Sequence, residues 1–131
     1  MERVRIIAEI GNSHEGSLGL AKCFIRAAAQ AGADVVKFQT HIFEAESLPN
    51  APNPPYFKDE SRQEYFDRTG FDLAGWTELR RFAVEDCGVG FMSSPFSLEA
   101  VDLLEAAGAE MYKVASGEVS TWATKPIVGT F

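Results

Sequence analysis

Ala31-Gly32-Ala33-Asp34-Val35-Val36-Lys37-Phe38-Gln39-Thr40 returns in pattern as Ala107-Gly108-Ala109-Glu110-Met111-Tyr112-Lys113-Val114-Ala115-Ser116. Each copy runs Ala-Gly-Ala, an acid, two apolar residues, a lysine, and a hydroxyl residue three positions later. Each follows an alanine-rich stretch with helical character. A helix, a glycine stop and an apolar strand are therefore written twice. A lysine inside an apolar strand is costly unless something negative meets it. Two at equivalent points of repeated units predict one anionic ligand held between neighbouring strands.

Working outward, Val4 to Ile10 is an apolar run ending at Gly11 and reads as a buried strand. Ser17 is placed to cap a helix over Leu18 to Gln30, whose Leu18, Ala21, Ile25 and Ala28 form one face. Asp34 to Thr40 is the second strand. His41 to Gly70 is a long excursion, turn-rich around Pro49, Pro52, Pro54 and Pro55, with a short helix over Asp59 to Arg68. Asp72 caps a helix over Leu73 to Asp86 with Trp76, Leu79, Phe82 and Ala83 inward. Val89 to Ser94 is a third strand, Ser97 caps a helix over Leu98 to Ala107, and Glu110 to Ala115 is a fourth strand. Strands alternating with helices imply an α/β fold with a parallel sheet. Parallel (β/α) units in this number make the first half of a TIM-type (β/α)8 barrel, whose full form takes about 250 residues. Lys125-Pro126-Ile127-Val128 reads as a fifth strand. The six residues Val119 to Thr124 before it are too few for a parallel crossover of about a dozen. The unpaired edges of such a half-barrel predict a homo-oligomer.

Bulk numbers narrow the partners. The chain has 131 residues, 46% apolar, with 19 acids against 12 bases and a net charge of −7. A globular domain follows, and neither nucleic acid nor an anionic membrane surface suits that charge. Cys23 and Cys87 read as reduced, small buried residues. With no signal-peptide pattern after Met1 and no apolar run of membrane length, a cytoplasmic protein is expected.

Polar residues gather where strands end, the functional rim of parallel barrels. They are Glu9 with Asn12, Ser13 and His14; Lys37, Gln39 and Thr40; Ser93 and Ser94; and Lys113, Ser116, Gly117 and Glu118. Lys113 and Ser116 have opposite strand parity, so a shared ligand needs a strand break near Ala115. The bland alternatives stay open. The lysines could form a structural ion network with Glu9 and Glu118. Ser94 and Ser116 could be caps, and Gln39 could satisfy backbone groups. Asn12 to Gly16 reads as turn chemistry, and His14 and His41 favour surface or loop roles over a metal.

Taken together, Ala8-Glu9-Ile10-Gly11 with His14-x-Gly16, Val36 to Thr40, Ser93-Ser94-Pro95-Phe96-Ser97 and Tyr112 to Glu118 closely resemble the N-terminal barrel of the sialic acid (N-acetylneuraminate) synthase family. The resemblance implies condensation of phosphoenolpyruvate with an N-acylmannosamine-type sugar to a nonulosonic acid, with release of phosphate. It implies that Lys37 and Lys113 hold the phosphate and carboxylate, helped by Ser94 and Ser116. Glu9 and Glu118 are then the catalytic candidates, with Gln39 beside the sugar. A divalent metal (Mn or Mg) belongs to the intact family enzyme. Its histidines lie in the second barrel half, so none of its ligands is expected in this chain. The family's antifreeze-like domain is likewise expected to be absent. Ser13 departs from the asparagine common before the first-motif histidine. The alternative is a non-catalytic half-barrel that binds an anionic metabolite or pairs with a second chain.

Overall fold

The computed structural model describes residues 3–119. The order is β1 (Ile7–Gly11), α1 (Leu18–Gln30), β2 (Val35–Thr40), α2 (Phe43–Glu46), α3 (Arg62–Thr69) and α4 (Leu73–Arg81). A π turn over Phe82–Asp86, β3 (Gly90–Pro95), α5 (Leu98–Ala106), β4 (Met111–Tyr112) and a 3-10 turn over Ser116–Glu118 follow. All strands are parallel and lie in the order β1-β2-β3-β4.

The repeated decapeptide is a repeated structure. Gly32 and Gly108 both take positive φ, 88° and 82°. In each turn the glycine N–H bonds the carbonyl three residues back, Ala29 or Glu105. The following alanine N–H bonds the carbonyl five back, Ala28 or Leu104. A left-handed residue after the last helical turn closes the helix and redirects the chain into a strand. Ser17, Asp72 and Ser97 cap α1, α4 and α5 through their side-chain oxygens, as expected.

One sheet face packs on helices. Ile10, Val36, Phe38 and Phe91 meet Ala21, Ile25, Trp76, Leu79, Phe82, Ala83 and Leu104 in one apolar cluster. Each large side chain removed from water there contributes about 1.5–3 kcal/mol. Lys22 of α1 reaches Glu78 of α4 at 2.6 Å across the outside of this layer. The other sheet face is open along β1, where Ile7 is 48% exposed, and more closed further in, where Val35 and Ser94 are buried.

That openness corrects several expectations. The first strand begins at Ile7, and Val4 and Ile6 stand 82% and 57% exposed, because no neighbouring layer covers them. The fourth strand is two residues long, although the Lys113 N–H still bonds the Ser93 carbonyl at 3.1 Å. The helix after Asp72 ends at Arg81, and a π turn follows in which Phe82 and Ala83 are both buried. The excursion holds α2, which the proline-rich composition hides, and α3 starts at Arg62 behind a Ser61–Glu64 capping box. Cys23 is exposed on α1 and Cys87 only half-buried, so neither is a small core residue. The fifth strand expected over Lys125 to Val128 lies outside the described residues.

The turn from β1 into α1 docks against the end of α3, through the Glu15–Arg68 ion pair and a close backbone approach at Gly16. Gly16 has φ 81°, and a Cβ there would lie 1.9 Å from the Arg68 carbonyl oxygen. Gly32 has similar φ with nothing within 4 Å of such a Cβ. Gly16→Ala is expected to destabilise the fold by roughly 3 kcal/mol or more, and Gly32→Ala by only about 1 kcal/mol from backbone strain. Urea unfolding of the two variants side by side measures the difference. Equal losses would show that the Arg68 contact yields easily.

Candidate functional site

Side chains alternate across a strand, so Val35, Lys37 and Gln39 share the open face of β2. Their register partners on β3 are Gly90, Met92 and Ser94. Lys37 is 9% exposed. Its Nζ lies 2.6 Å from Glu9 Oε2 on β1 and donates to Ser94 Oγ on β3 at 3.3 Å. Three adjacent strands thus meet at one ammonium group. On the opposite face, Thr40 and Ser93 pair through their hydroxyls at 2.8 Å and carry the core.

Glu9 forms the last regular pair before a bulge. It pairs with Lys37, but the next pair is Gly11 with Phe38, so Ile10 is the extra residue. Gly11 has φ 56°, as left-handed bulge positions require. The space where a Gly11 Cβ would sit lies 3.2 Å from Glu9 Oε1 and 3.6 Å from Gln39 Nε2. Glu9 and Gln39 converge there.

Lys113 corrects the expected pair of buried lysines. Met111 lies on the inner face, its methyl 2.7 Å from where a Gly90 Cβ would be. With its backbone continuing the ladder, Lys113 falls on that same face by alternation. It is nevertheless exposed, because β4 pairs only with β3 among the described residues. Ser116 is also exposed and opens the 3-10 turn that contains half-buried Glu118. That turn supplies the strand break which the opposite parity of Lys113 and Ser116 demands.

Gln39 serves a side chain rather than the backbone. Its Oε1 lies 3.1 Å from His41 Nε2, and His41 Nδ1 lies 2.7 Å from Glu46 Oε1. The His41 ring is sandwiched between Phe66 and Phe96, with centroids 4.1 and 4.0 Å away and planes tilted by 4° and 15°. Its side chain is 11% exposed, which overturns a surface role. Gln39, His41, Phe66 and Phe96, with Tyr56 and Arg62, line an open cleft of about 700 Å³ beside the strand ends. Sequence reasoning missed Glu46, Phe66 and Phe96. The only local signal was an acid five residues after His41.

Residues 24–124 match the NeuB family. The chain belongs to the NeuB family. It is 40% identical over 127 residues to the N,N'-diacetyllegionaminic acid synthase of Campylobacter jejuni, covering 92% of this chain and 37% of that one. It is 35% identical over 121 residues to the human N-acetylneuraminate-9-phosphate synthase, covering 89% and 33%. Among solved structures, the N-acetylneuraminic acid synthetase of Leptospira borgpetersenii, in complex with citrate, superposes with a TM-score of 0.70 at 28% identity. That match covers 89% of this chain and 38% of the other. This NeuB chain therefore spans about a third of the length of the curated relatives it matches. Its four parallel strands and their connecting helices match the corresponding part of the TIM-type barrel fold of its structural neighbours.

The His14-x-Gly16 segment proves to be an internal brace. His14 is fully buried, its ring 4.7 Å from Phe71 and 5.8 Å from Phe38 between centroids, which corrects the surface role expected for it. Its Nδ1 accepts the Gly16 N–H at 3.1 Å, which places the proton on Nε2. Nε2 is buried without a partner among the described residues. Burial lowers the His14 pKa from its ordinary value, with Glu15 opposing weakly. The folded state therefore holds the neutral ring, and the unfolded chain takes up a proton first as pH falls. Stability from this group is complete above about pH 6.5 and is lost as pH drops toward the folded pKa, by at most about 1.4 kcal/mol per pH unit. Urea midpoints measured from pH 7 to pH 5 are expected to fall for the native chain and to stay flatter for His14→Gln. Parallel slopes would mean that His14 is not the group responsible.

Proposed function

We propose that this chain supplies the phosphoenolpyruvate half of a sialic acid synthase-type site. The reaction is the condensation of phosphoenolpyruvate with an N-acylmannosamine-type sugar, giving a nonulosonic acid and free phosphate. The observation that carries the proposal is Lys37: an ammonium group buried in a strand, facing the open inside of the sheet, with a hydroxyl and a carboxylate beside it. An ammonium has three donors, and Glu9 and Ser94 account for two directions. A phosphate or carboxylate oxygen fits the third. Lys113, on the same face two strands away, adds a second positive charge for an anion carrying more than one negative charge. Ser94 and Ser116 orient it through their hydroxyls.

The cleft beside Gln39 receives the sugar, with aromatic rings offered to its C–H faces. Glu9 and Glu118 are the groups of suitable chemistry to accept a hydroxyl proton or position water next to the reacting carbons. Lys37 and Lys113 hold the phosphate and carboxylate in place while the enol carbon attacks the sugar carbonyl, which takes up a proton. Water then adds to the oxocarbenium carbon with loss of a proton, and the C–O bond to phosphate breaks. The divalent metal of the family has no fitting ligand set among the described residues. No three of their His, Cys, Asp or Glu side chains converge. His41 is engaged at both nitrogens and His14 is enclosed by rings. No step here is routed through a metal. No helix among the described residues is long and apolar enough to cross a membrane, and the proposed chemistry uses metabolites of the cytoplasm.

Pairing with a second copy is favoured by a separate observation: β1 and β4 are edges among the described residues, and Ile7 is exposed on the open face. Sedimentation as a monomer at every concentration would remove it.

Calorimetric titration with phosphoenolpyruvate tests the main proposal. Lys37→Met is expected to abolish binding while leaving the urea midpoint unchanged or higher, since an apolar side chain of similar length avoids the cost of burying an ammonium. Lys113→Ala is expected to weaken binding at least tenfold. Undiminished binding by Lys37→Met would refute the assignment.

A further inference from the structure

The cleft is built around a side chain that the proposed chemistry does not use. His41 has no hydrogen bond to Lys37 or Glu9 among the described contacts, yet it is held on both ring faces and at both nitrogens. Phe66 of α3 and Phe96 after β3 clamp both ring faces. Glu46 of α2 takes one ring nitrogen at 2.7 Å, and its second oxygen accepts the Ile42 N–H at 3.2 Å, so the carboxylate is itself anchored. The remaining ring nitrogen is aimed at Gln39.

An unrestrained glutamine amide rotates and presents either its oxygen or its NH2 group to a ligand. Here Oε1 is held by His41, and Nε2 points to the space bounded by Gly11 and Glu9. A ring that can neither tilt nor slide transmits its orientation to whatever it bonds. The excursion between β2 and α4 thus has a definite task. Its two helices bring Glu46 and Phe66 to a histidine at the end of β2.

We propose that His41 and Glu46 are positioning residues that fix the Gln39 amide, so that the end of it not held by His41 faces a hydroxyl of the sugar. The inference rests on Gln39 being the sugar contact proposed above. Glu46 takes an Nδ1–H; a neutral His41 then offers Nε2 as acceptor to the amide NH2, and a protonated one offers Nε2–H to the amide oxygen, and in both the opposite end of the amide is left toward Glu9.

The test uses the chain with two readouts. In the free chain, the 15N order parameter of the Gln39 side chain is expected to be near that of rigid backbone, about 0.8. It should fall below about 0.6 in His41→Phe and in Glu46→Ala. His41→Phe keeps a ring between Phe66 and Phe96, and Glu46→Gln keeps an acceptor for Nδ1–H and should restore the order parameter. If His41→Phe does not fold, Glu46→Ala supplies the same readout.

With N-acetylmannosamine as probe and phosphoenolpyruvate saturating, His41→Phe and Gln39→Ala should each weaken sugar binding about tenfold. The double variant should be no weaker than Gln39→Ala alone, because groups acting as one unit are not additive. Phosphoenolpyruvate affinity should change less than twofold in His41→Phe. An order parameter that stays high in His41→Phe overturns the inference, as do losses that multiply in the double variant. A mobile Gln39 in His41→Phe combined with undiminished sugar binding by Gln39→Ala sinks the sugar contact and this inference together. A weakened Gln39→Ala with an undisturbed order parameter sinks the inference alone.

Discussion

One buried ammonium group organises the open side of the sheet. Taking Lys37 out of water costs several kcal/mol unless its donors are met. Glu9 from β1 and Ser94 from β3 meet two of them. The geometry needs β1 in the register that pairs Glu9 with Lys37, and the bulge at Ile10 and the left-handed Gly11 follow directly after that pair. It also needs β3 in the register that sets Met92 beside Lys37 and Ser94 one inward position further on. A slip of one residue would exchange Ser94 for Ser93, which is already paired with Thr40 on the core face. The lysine and the two layers of the fold therefore specify the same register from opposite sides.

The parts of the structure readable from sequence are those with short-range causes. The two Ala-Gly-Ala turns repeat bond for bond because the glycine conformation and the helix end are both local. The caps at Ser17, Asp72 and Ser97 follow for the same reason. Ser61-Arg62-Gln63-Glu64 carries a capping box in plain view, so the start of α3 at Arg62 was available to a reader of side chains, though not to one weighing proline content. What escaped has long-range causes. His14 is buried by Phe71 and Phe38, which lie on other elements. His41 is gripped by rings from α3 and from the segment after β3. The exposure of Lys113 depends on what lies beyond an edge strand, and periodicity within that strand carries no such information.

The proposed site likewise separates by kind of cause. Glu9, Lys37 and Ser94 could be chosen from sequence because each stands where an apolar or turn residue would be cheaper, and the fold brings them within one hydrogen-bond shell. Gln39 could be chosen, but not its partner. Lys113 and Ser116 follow the end of β4, and both are exposed where Lys37 is buried. Family membership explains why these residue types recur along one edge of the sheet. It does not by itself say what they hold.

A structural ion pair remains the strongest competitor for Lys37, and its energetics weigh against it. A buried pair is seldom more stable than apolar side chains of the same volume, because desolvation offsets the attraction. The neighbouring positions show what the fold alone would use: Val35 and Val36 before Lys37, Phe38 after it. Glu9 is half exposed, with 51% of its side chain in contact with solvent, so its attraction for Lys37 is partly screened. The desolvation of Lys37 is therefore nearly complete while the compensation from Glu9 is partial. A multiply charged anion entering from the open face would complete that compensation, and its own charge would be balanced by a lysine that the core gives no reason to place there.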